Sequence, residues 1–311
     1  MKNSSLSFHK KIVPVQKIEV NVLKNAKIDL WMVREDMLHP KVSGNKFRKL
    51  KYNILEAKKQ NATTLLSFGG AFSNHIAALA AAGKELGLKT IGVIRGEELA
   101  HSWQGNPTLA FADSCGMQLY FVSRANYRKK EEKAFLQQLQ QQFGEFYLLP
   151  EGGTNQLAIK GCAEILQNVT MDFDYCCVPV GTGGTMAGLV QSVKSHQKVL
   201  GFSVLKGTFQ HKLVEKNALY DNFVITDKYA FEGYGKIDGT LVRFINNFKK
   251  ETGIPLDPIY TGKMMYGIFE MVRHGEIKEN SRILAIHTGG LQGIEGMNQR
   301  LMKKNLPQIE L

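Results

Sequence analysis

The sequence predicts an α/β protein built from parallel strand–helix–strand units in two closely packed halves. Three observations carry this expectation. From Thr63 onward, short β-branched or apolar runs alternate with longer helical ones. With 311 residues and 43% apolar content, the chain is long enough for two domains or one large α/β unit. Two glycine-rich turns each stand between an apolar run and a helical one, and in parallel sheets ligands bind at such strand ends.

Taken in order, a basic helix is expected over residues 47–59, followed by a strand at 63–68, an alanine-rich helix at 74–86 and a strand at 90–95. A strand at 118–123, a helix at 127–143 and a strand at 146–149 repeat the scheme. Glu151, Gly152 and Gly153 interrupt it and read as a hinge. The alternation resumes with a helix at 156–168, a strand at 175–180, a helix at 185–194 and a strand at 199–204. Helices at 240–251 and 263–273 and a strand at 282–287 complete it. No long or low-complexity linker and no internal repeat is found.

The formal charge of +12 is concentrated in roughly the first sixty residues and would suit an anionic substrate or a phosphate-bearing partner. No nucleic-acid motif or aromatic-interleaved basic stripe accompanies it, so a basic solvated surface is preferred over a nucleic-acid binder. The four cysteines lack C-x-x-C spacing, and Cys176 and Cys177 lie in an apolar run that reads as a buried strand. Buried thiols fit a reducing compartment. The polar, basic stretch 1–11 is unlike a secretory signal, and no run of about 18 apolar residues could span a bilayer. A cytoplasmic protein without a metal site is expected.

Lys46 closes the run Ser43, Gly44, Asn45, Lys46, directly before the first expected helix. The positive end of a helix disfavours a charged amine there, and a neutral amine can attack an aldehyde. A solvated basic face is the alternative, since Arg48, Lys49 and Lys51 follow. One glycine turn, Gly181, Thr182, Gly183, Gly184 and Thr185, offers backbone N–H groups, a helix start and two hydroxyls to a single phosphate. It has neither the G-x-G-x-x-G spacing nor a Walker lysine. The other, Gly69, Gly70, Ala71, Phe72, Ser73, Asn74 and His75, could cap a helix and also hold a carboxylate. Together these features meet the needs of pyridoxal phosphate acting on an amino acid: an amine for its aldehyde, a cup for its phosphate and a seat for the substrate carboxylate.

On these residues the chain resembles the fold-type-II pyridoxal-phosphate enzymes, specifically the group of D-cysteine desulfhydrase and 1-aminocyclopropane-1-carboxylate deaminase. The resemblance runs over about residues 34–293. Its matching stretches are Arg34, Glu35 and Asp36; residues 43–46 with Arg48, Lys49 and Leu50; residues 67–75; residues 181–185; and Asp257, Pro258, Ile259, Tyr260, Thr261, Gly262 and Lys263. It implies two open, twisted, mainly parallel sheets flanked by helices, as in the tryptophan synthase β chain, and a homodimer. It further implies a large cofactor-binding domain of residues 1–51 plus 154–311 and a small mobile one of 52–153.

Carried onto this chain, the resemblance makes Lys46 the covalent anchor of the cofactor, with Asn45 beside it, and gives Asn74 the ring oxygen. Residues 181–185 would take the phosphate, and Ser73, Asn74 and His75 the substrate carboxylate. Tyr260 and Tyr234 would stand beside the substrate. Thr261 is the discriminating position, because ring-opening deaminases carry glutamate directly after the tyrosine, where a carboxylate keeps the pyridine nitrogen protonated. A threonine hydroxyl donating there instead implies β-elimination from a small amino acid such as D-cysteine. Ring opening, racemisation or dehydration, and ligand binding without turnover are the alternatives.

Overall fold

A computed structural model of the protein describes residues 7–8 and 11–310, so most of the basic stretch 1–11 lies outside the described residues. The strands are β1 (Val15–Ile18), β2 (Asp29–Val33), β3 (Thr64–Gly69), β4 (Lys89–Arg95), β5 (Met117–Val122), β6 (Tyr147–Leu149), β7 (Tyr175–Val180), β8 (Lys198–Ser203), β9 (Phe223–Thr226) and β10 (Arg282–Ile286). The helices are α1 (Asn21–Asn25), α2 (Asn45–Lys59), α3 (Asn74–Leu86), α4 (Pro107–Ser114), α5 (Arg124–Arg128), α6 (Lys133–Phe143), α7 (Gln156–Ala163), α8 (Gly184–Leu189), α9 (His211–Glu215), α10 (Gly239–Thr252), α11 (Thr261–Arg273) and α12 (Gly293–Met302). Among the described residues no helix is long and apolar enough to cross a membrane.

Two sheets carry the fold, as expected. The larger has six strands in the order β1-β2-β10-β7-β8-β9, antiparallel only between β1 and β2. The smaller has four, β5-β4-β3-β6, parallel throughout. Their inner strands are buried on both faces and therefore read as nearly continuous apolar runs, Leu65 to Phe68 in β3, interrupted by Ser67, and Cys176 to Val180 in β7. Pro179 is tolerated in β7 because β10 pairs that strand only along Tyr175, Cys176 and Cys177, so the ladder on that side ends before the missing N–H.

Strand order explains where the two glycine turns lie. From β3 the chain adds β4 and β5 on one side and then returns to place β6 on the other; from β7 it adds β8 and β9 and returns with β10. Each reversal opens a crevice at the carboxyl ends of the central strands. One glycine turn leaves β3 and the other leaves β7, so both stand at these crevices.

The expected helix at 127–143 is two helices, because the charged run from Arg128 to Lys133 supplies no apolar side chain to hold a continuous helix on the sheet. The helix expected at 185–194 ends at Leu189, where the Ser192 hydroxyl bonds the carbonyls of Ala163 and Gly188 and competes with helical pairing. The helix expected at 156–168 tightens into a 3₁₀ turn from Glu164.

Candidate active site

Lys46 is the second residue of α2, behind Gly44 at φ 62°. A Cβ at Gly44 would lie 1.9 Å from the Thr288 carbonyl oxygen, so the loop after β10 rests directly on this turn and only glycine fits. The Lys46 Nζ donates to Asn45 Oδ1 at 3.2 Å, and Asn45 Nδ2 donates to Thr185 Oγ1 at 2.8 Å across 140 residues of chain. The two motifs picked out separately in the sequence are thus joined by one asparagine. Lys46 as a residue is half-buried, and its amine is walled by protein; burial, and then the charge of Lys49, lower its pKa to about 7. The direction agrees with the helix-start argument, but desolvation is the larger cause.

The start of α2 is not a solvated basic face. Arg48 is 3% exposed and forms a two-pronged pair with the buried Glu35 at 2.9 and 2.7 Å. Glu164 lies 3.7 Å from the same guanidinium and pairs with Lys51 at 2.7 Å. Further along α2, Asn53 takes hydrogen bonds from Asn155 at 2.7 Å and from Tyr147, on β6, at 3.2 Å.

Lys49 is 2% exposed, and its partners are all neutral: the Gly152 carbonyl at 3.0 Å, Thr154 Oγ1 at 2.9 Å and Thr182 Oγ1 at 3.5 Å. Burial lowers its pKa. The turn after β7 lies beside it, with Gly183 at φ 88° opening α8 and a Cβ at Gly184 held off by Thr154, 2.8 Å away. A buried ammonium among threonine hydroxyls and helix-start N–H groups is a donor set short of an anion.

In the turn after β3, Ser73 Oγ caps α3 by accepting from the Ile76 N–H at 3.3 Å, and its own hydrogen stays available to donate. Asn74 Oδ1 accepts from Gln292 at 2.6 Å, while its Nδ2 approaches Gly290 so closely that a Cβ there would lie 2.7 Å away. The His75 side chain turns inward, Nε2 to Ser67 Oγ at 2.9 Å, against Gly153; burial and the two lysines push its pKa well below normal. Its imidazole therefore faces the interior, so the expected contact of this side chain with a substrate carboxylate is not made.

The matching family is that described as pyridoxal-phosphate dependent enzyme, over residues 9–289. The chain belongs to the pyridoxal-phosphate dependent enzymes. It is 30% identical to the bifunctional D-cysteine desulfhydrase/1-aminocyclopropane-1-carboxylate deaminase, mitochondrial, of Arabidopsis thaliana, over 86% of this chain and 73% of that protein. It is 28% identical to the 1-aminocyclopropane-1-carboxylate deaminase of a Bradyrhizobium strain, ORS 278, over 95% of this chain and 96% of the other. A crystal structure described as an ACC deaminase homologue superposes with a TM-score of 0.81 at 26% identity, covering 96% of this chain and 95% of that one.

Pyridoxal phosphate is the cofactor of this family, and the donor set around Lys49 fits it. A phosphate monoester supplies the anion that the buried ammonium and hydroxyls lack. Lys46, one asparagine away, has the partly neutral amine that an aldehyde requires.

Other residues lie beside these turns. Tyr260 packs on Gly181, where a Cβ would lie 3.1 Å from its ring, and meets the Tyr234 ring edge-on, centroids 6.2 Å apart. Tyr234 is 41% exposed, yet burial of its phenol and that of Tyr260 raises both, Tyr260 well above the usual range. Buried Tyr127 donates to Glu151 at 2.7 Å, with the Arg95 guanidinium 5.6 Å over its ring and close to Gly70. Tyr127, Glu151, Arg95, Lys49 and Gln292 were not among the candidate site residues of the sequence; each depends on partners distant along the chain.

Thr261 is fully buried, and its hydroxyl donates to Asp257 Oδ1 at 2.7 Å while accepting from the Asp257 N–H at 2.9 Å. The one hydroxyl proton expected to serve a pyridine nitrogen is therefore engaged by Asp257. Asp257 also accepts from the N–H groups of Ile259, Tyr260 and Thr261. Thr261→Val, which keeps the shape and removes the hydroxyl, is expected to destabilise the protein by about 1–3 kcal/mol, because a buried N–H loses its acceptor. Thermal unfolding of the variant against the parent measures this, and an unchanged transition would contradict it.

Proposed function

We propose that the protein is a lyase that eliminates a β-leaving group from a small amino acid, D-cysteine or a close relative, giving pyruvate, ammonia and sulfide. Pyridoxal phosphate, when bound, supplies the electron sink that makes the substrate's Cα proton removable. The observation that carries this reading is the Lys46–Asn45–Thr185 chain, which joins an amine with a pKa of about 7 to the phosphate cup. Such an amine can take a proton at Cα and release it near neutral pH. The Tyr234 and Tyr260 phenols, raised by enclosure, keep their protons and serve as donors to the departing sulfur rather than as bases.

The Ser73 hydroxyl and the N–H groups of Asn74 and His75 orient the substrate carboxylate, Asn74 Nδ2 the ring oxygen, and Lys49 with residues 181–185 the phosphate. Residues 52–153 act as a small mobile domain that closes over the cleft and excludes water. Thr261 supports the substrate choice, since a neutral hydroxyl already bonded to Asp257 brings no carboxylate to the position where ring-opening deaminases carry one. A weaker electron sink favours prompt loss of a β-substituent.

Ring opening of 1-aminocyclopropane-1-carboxylate is the second reading, favoured by the activity named for the relatives. The test incubates the cofactor-loaded protein with D- and L-cysteine, D-serine and the cyclopropane amino acid, and measures sulfide, pyruvate and 2-oxobutyrate. Equal sulfide and pyruvate from D-cysteine are expected. Turnover of the cyclopropane compound alone overturns the substrate choice, pyruvate or racemised product from serine alone points to a dehydratase or racemase, and no turnover at all points to a binding protein.

A further inference from the structure

Lys263 lies one helical turn after Tyr260, is 1% exposed, and makes its hydrogen bonds to two backbone carbonyls, Ala230 at 2.7 Å and Gly233 at 2.9 Å. Those carbonyls are the two ends of a tight turn closed by the Gly233 N–H to the Ala230 carbonyl at 3.0 Å. Inside the turn Phe231 has φ 50° and Glu232 φ 64°, the left-handed region that side chains with a Cβ disfavour. The residue immediately after it is Tyr234, which reaches across to Tyr260 at the start of α11.

One helix thus supplies both the partner of Tyr234 and the ammonium that ties down the turn delivering it. An apolar side chain of the same length would fill the space without the cost of burying a charge, so packing alone gives no reason for a lysine. Burial accordingly lowers its pKa to about 8, with the Asp257 carboxylate acting in the opposite direction.

We propose that Lys263 is a positioning residue whose ammonium clamps the strained turn at residues 230–233 and so sets Tyr234 against Tyr260 at the cleft. The functional half of this rests on the role given to those tyrosines above; the clamp itself does not. In the cofactor-loaded protein, Lys263→Met is expected to speed amide hydrogen exchange at Gly233 and Lys236, both hydrogen-bonded in this loop, by about tenfold or more. It is also expected to lower kcat/KM about 10–100-fold in the parent but less than about twofold in a Tyr234→Phe background.

Unchanged exchange at the two amides overturns the clamp. Faster exchange with losses that multiply in the double variant overturns the positioning role. A Lys263→Met chain that does not fold also overturns the proposal, which assigns the lysine to one turn and not to the fold. A Tyr234→Phe chain as active as the parent sinks the reading of Tyr234 instead. The exchange measurement needs no substrate, so it decides the clamp whichever amino acid the enzyme takes.

Discussion

Lys46→Ala is expected to lower turnover by at least about a thousandfold, since it removes the proposed covalent anchor and proton acceptor together, and acid–base catalysis alone contributes about 10²–10⁴. Borohydride reduction of the parent, followed by peptide mapping, should find a pyridoxyl group on residue 46; an unlabelled Lys46 would end the assignment. The pKa adds a signature in pH. A lysine brought from 10.5 to about 7 is about one-tenth neutral a unit below that value and about nine-tenths neutral a unit above it. Covalent uptake of pyridoxal phosphate by cofactor-free protein, followed by visible absorbance, should therefore accelerate about tenfold from pH 6 to 8 and then level off. A rate still climbing steeply through pH 9 would mean an amine of ordinary basicity.

Lys49→Met is expected to weaken pyridoxal phosphate binding about 10–100-fold, from the loss of a charge-assisted hydrogen bond worth about 1.5–3 kcal/mol. The cofactor-free protein should lose no stability, because the substitution removes a buried ammonium that only neutral oxygens hold. Equilibrium dialysis gives the affinity and thermal unfolding with and without cofactor separates the two effects. Equal destabilisation of both forms would make Lys49 a structural residue instead.

The parts of the site that were legible in the sequence are those whose chemistry is local. The two glycine turns and the lysine at a helix start each carry their meaning within a few residues, and the alternation of strand and helix set both turns at strand ends. Lys49 was hidden because its neighbours Arg48 and Lys51 make α2 look solvated, and its burial is created by Gly152 and Thr154, about a hundred residues away. His75 and Thr261 show the other limit. Their positions were identified, but side-chain direction is a tertiary result: the imidazole bonds Ser67 and the threonine hydroxyl bonds Asp257. The strands β1, β2 and β9 escaped notice because β1 and β9 are the partly exposed edges of the larger sheet and β2 opens on Asp29, so none reads as an apolar run set off by turn residues.

The bonding of α2 governs what travels in the proposed closure. Near its reactive end this helix is riveted to the larger sheet's side through Glu35, Glu164 and Thr185, and two turns later Asn53 takes bonds both from Asn155 on that side and from Tyr147 on the smaller sheet. The helix is therefore an axle held by the larger sheet's side at both points, with the smaller sheet attached beside its far one. A swing of the smaller sheet would carry the carboxylate-holding turn toward or away from a stationary amine, so the enzyme can admit and release its substrate without ever loosening its grip on the vitamin.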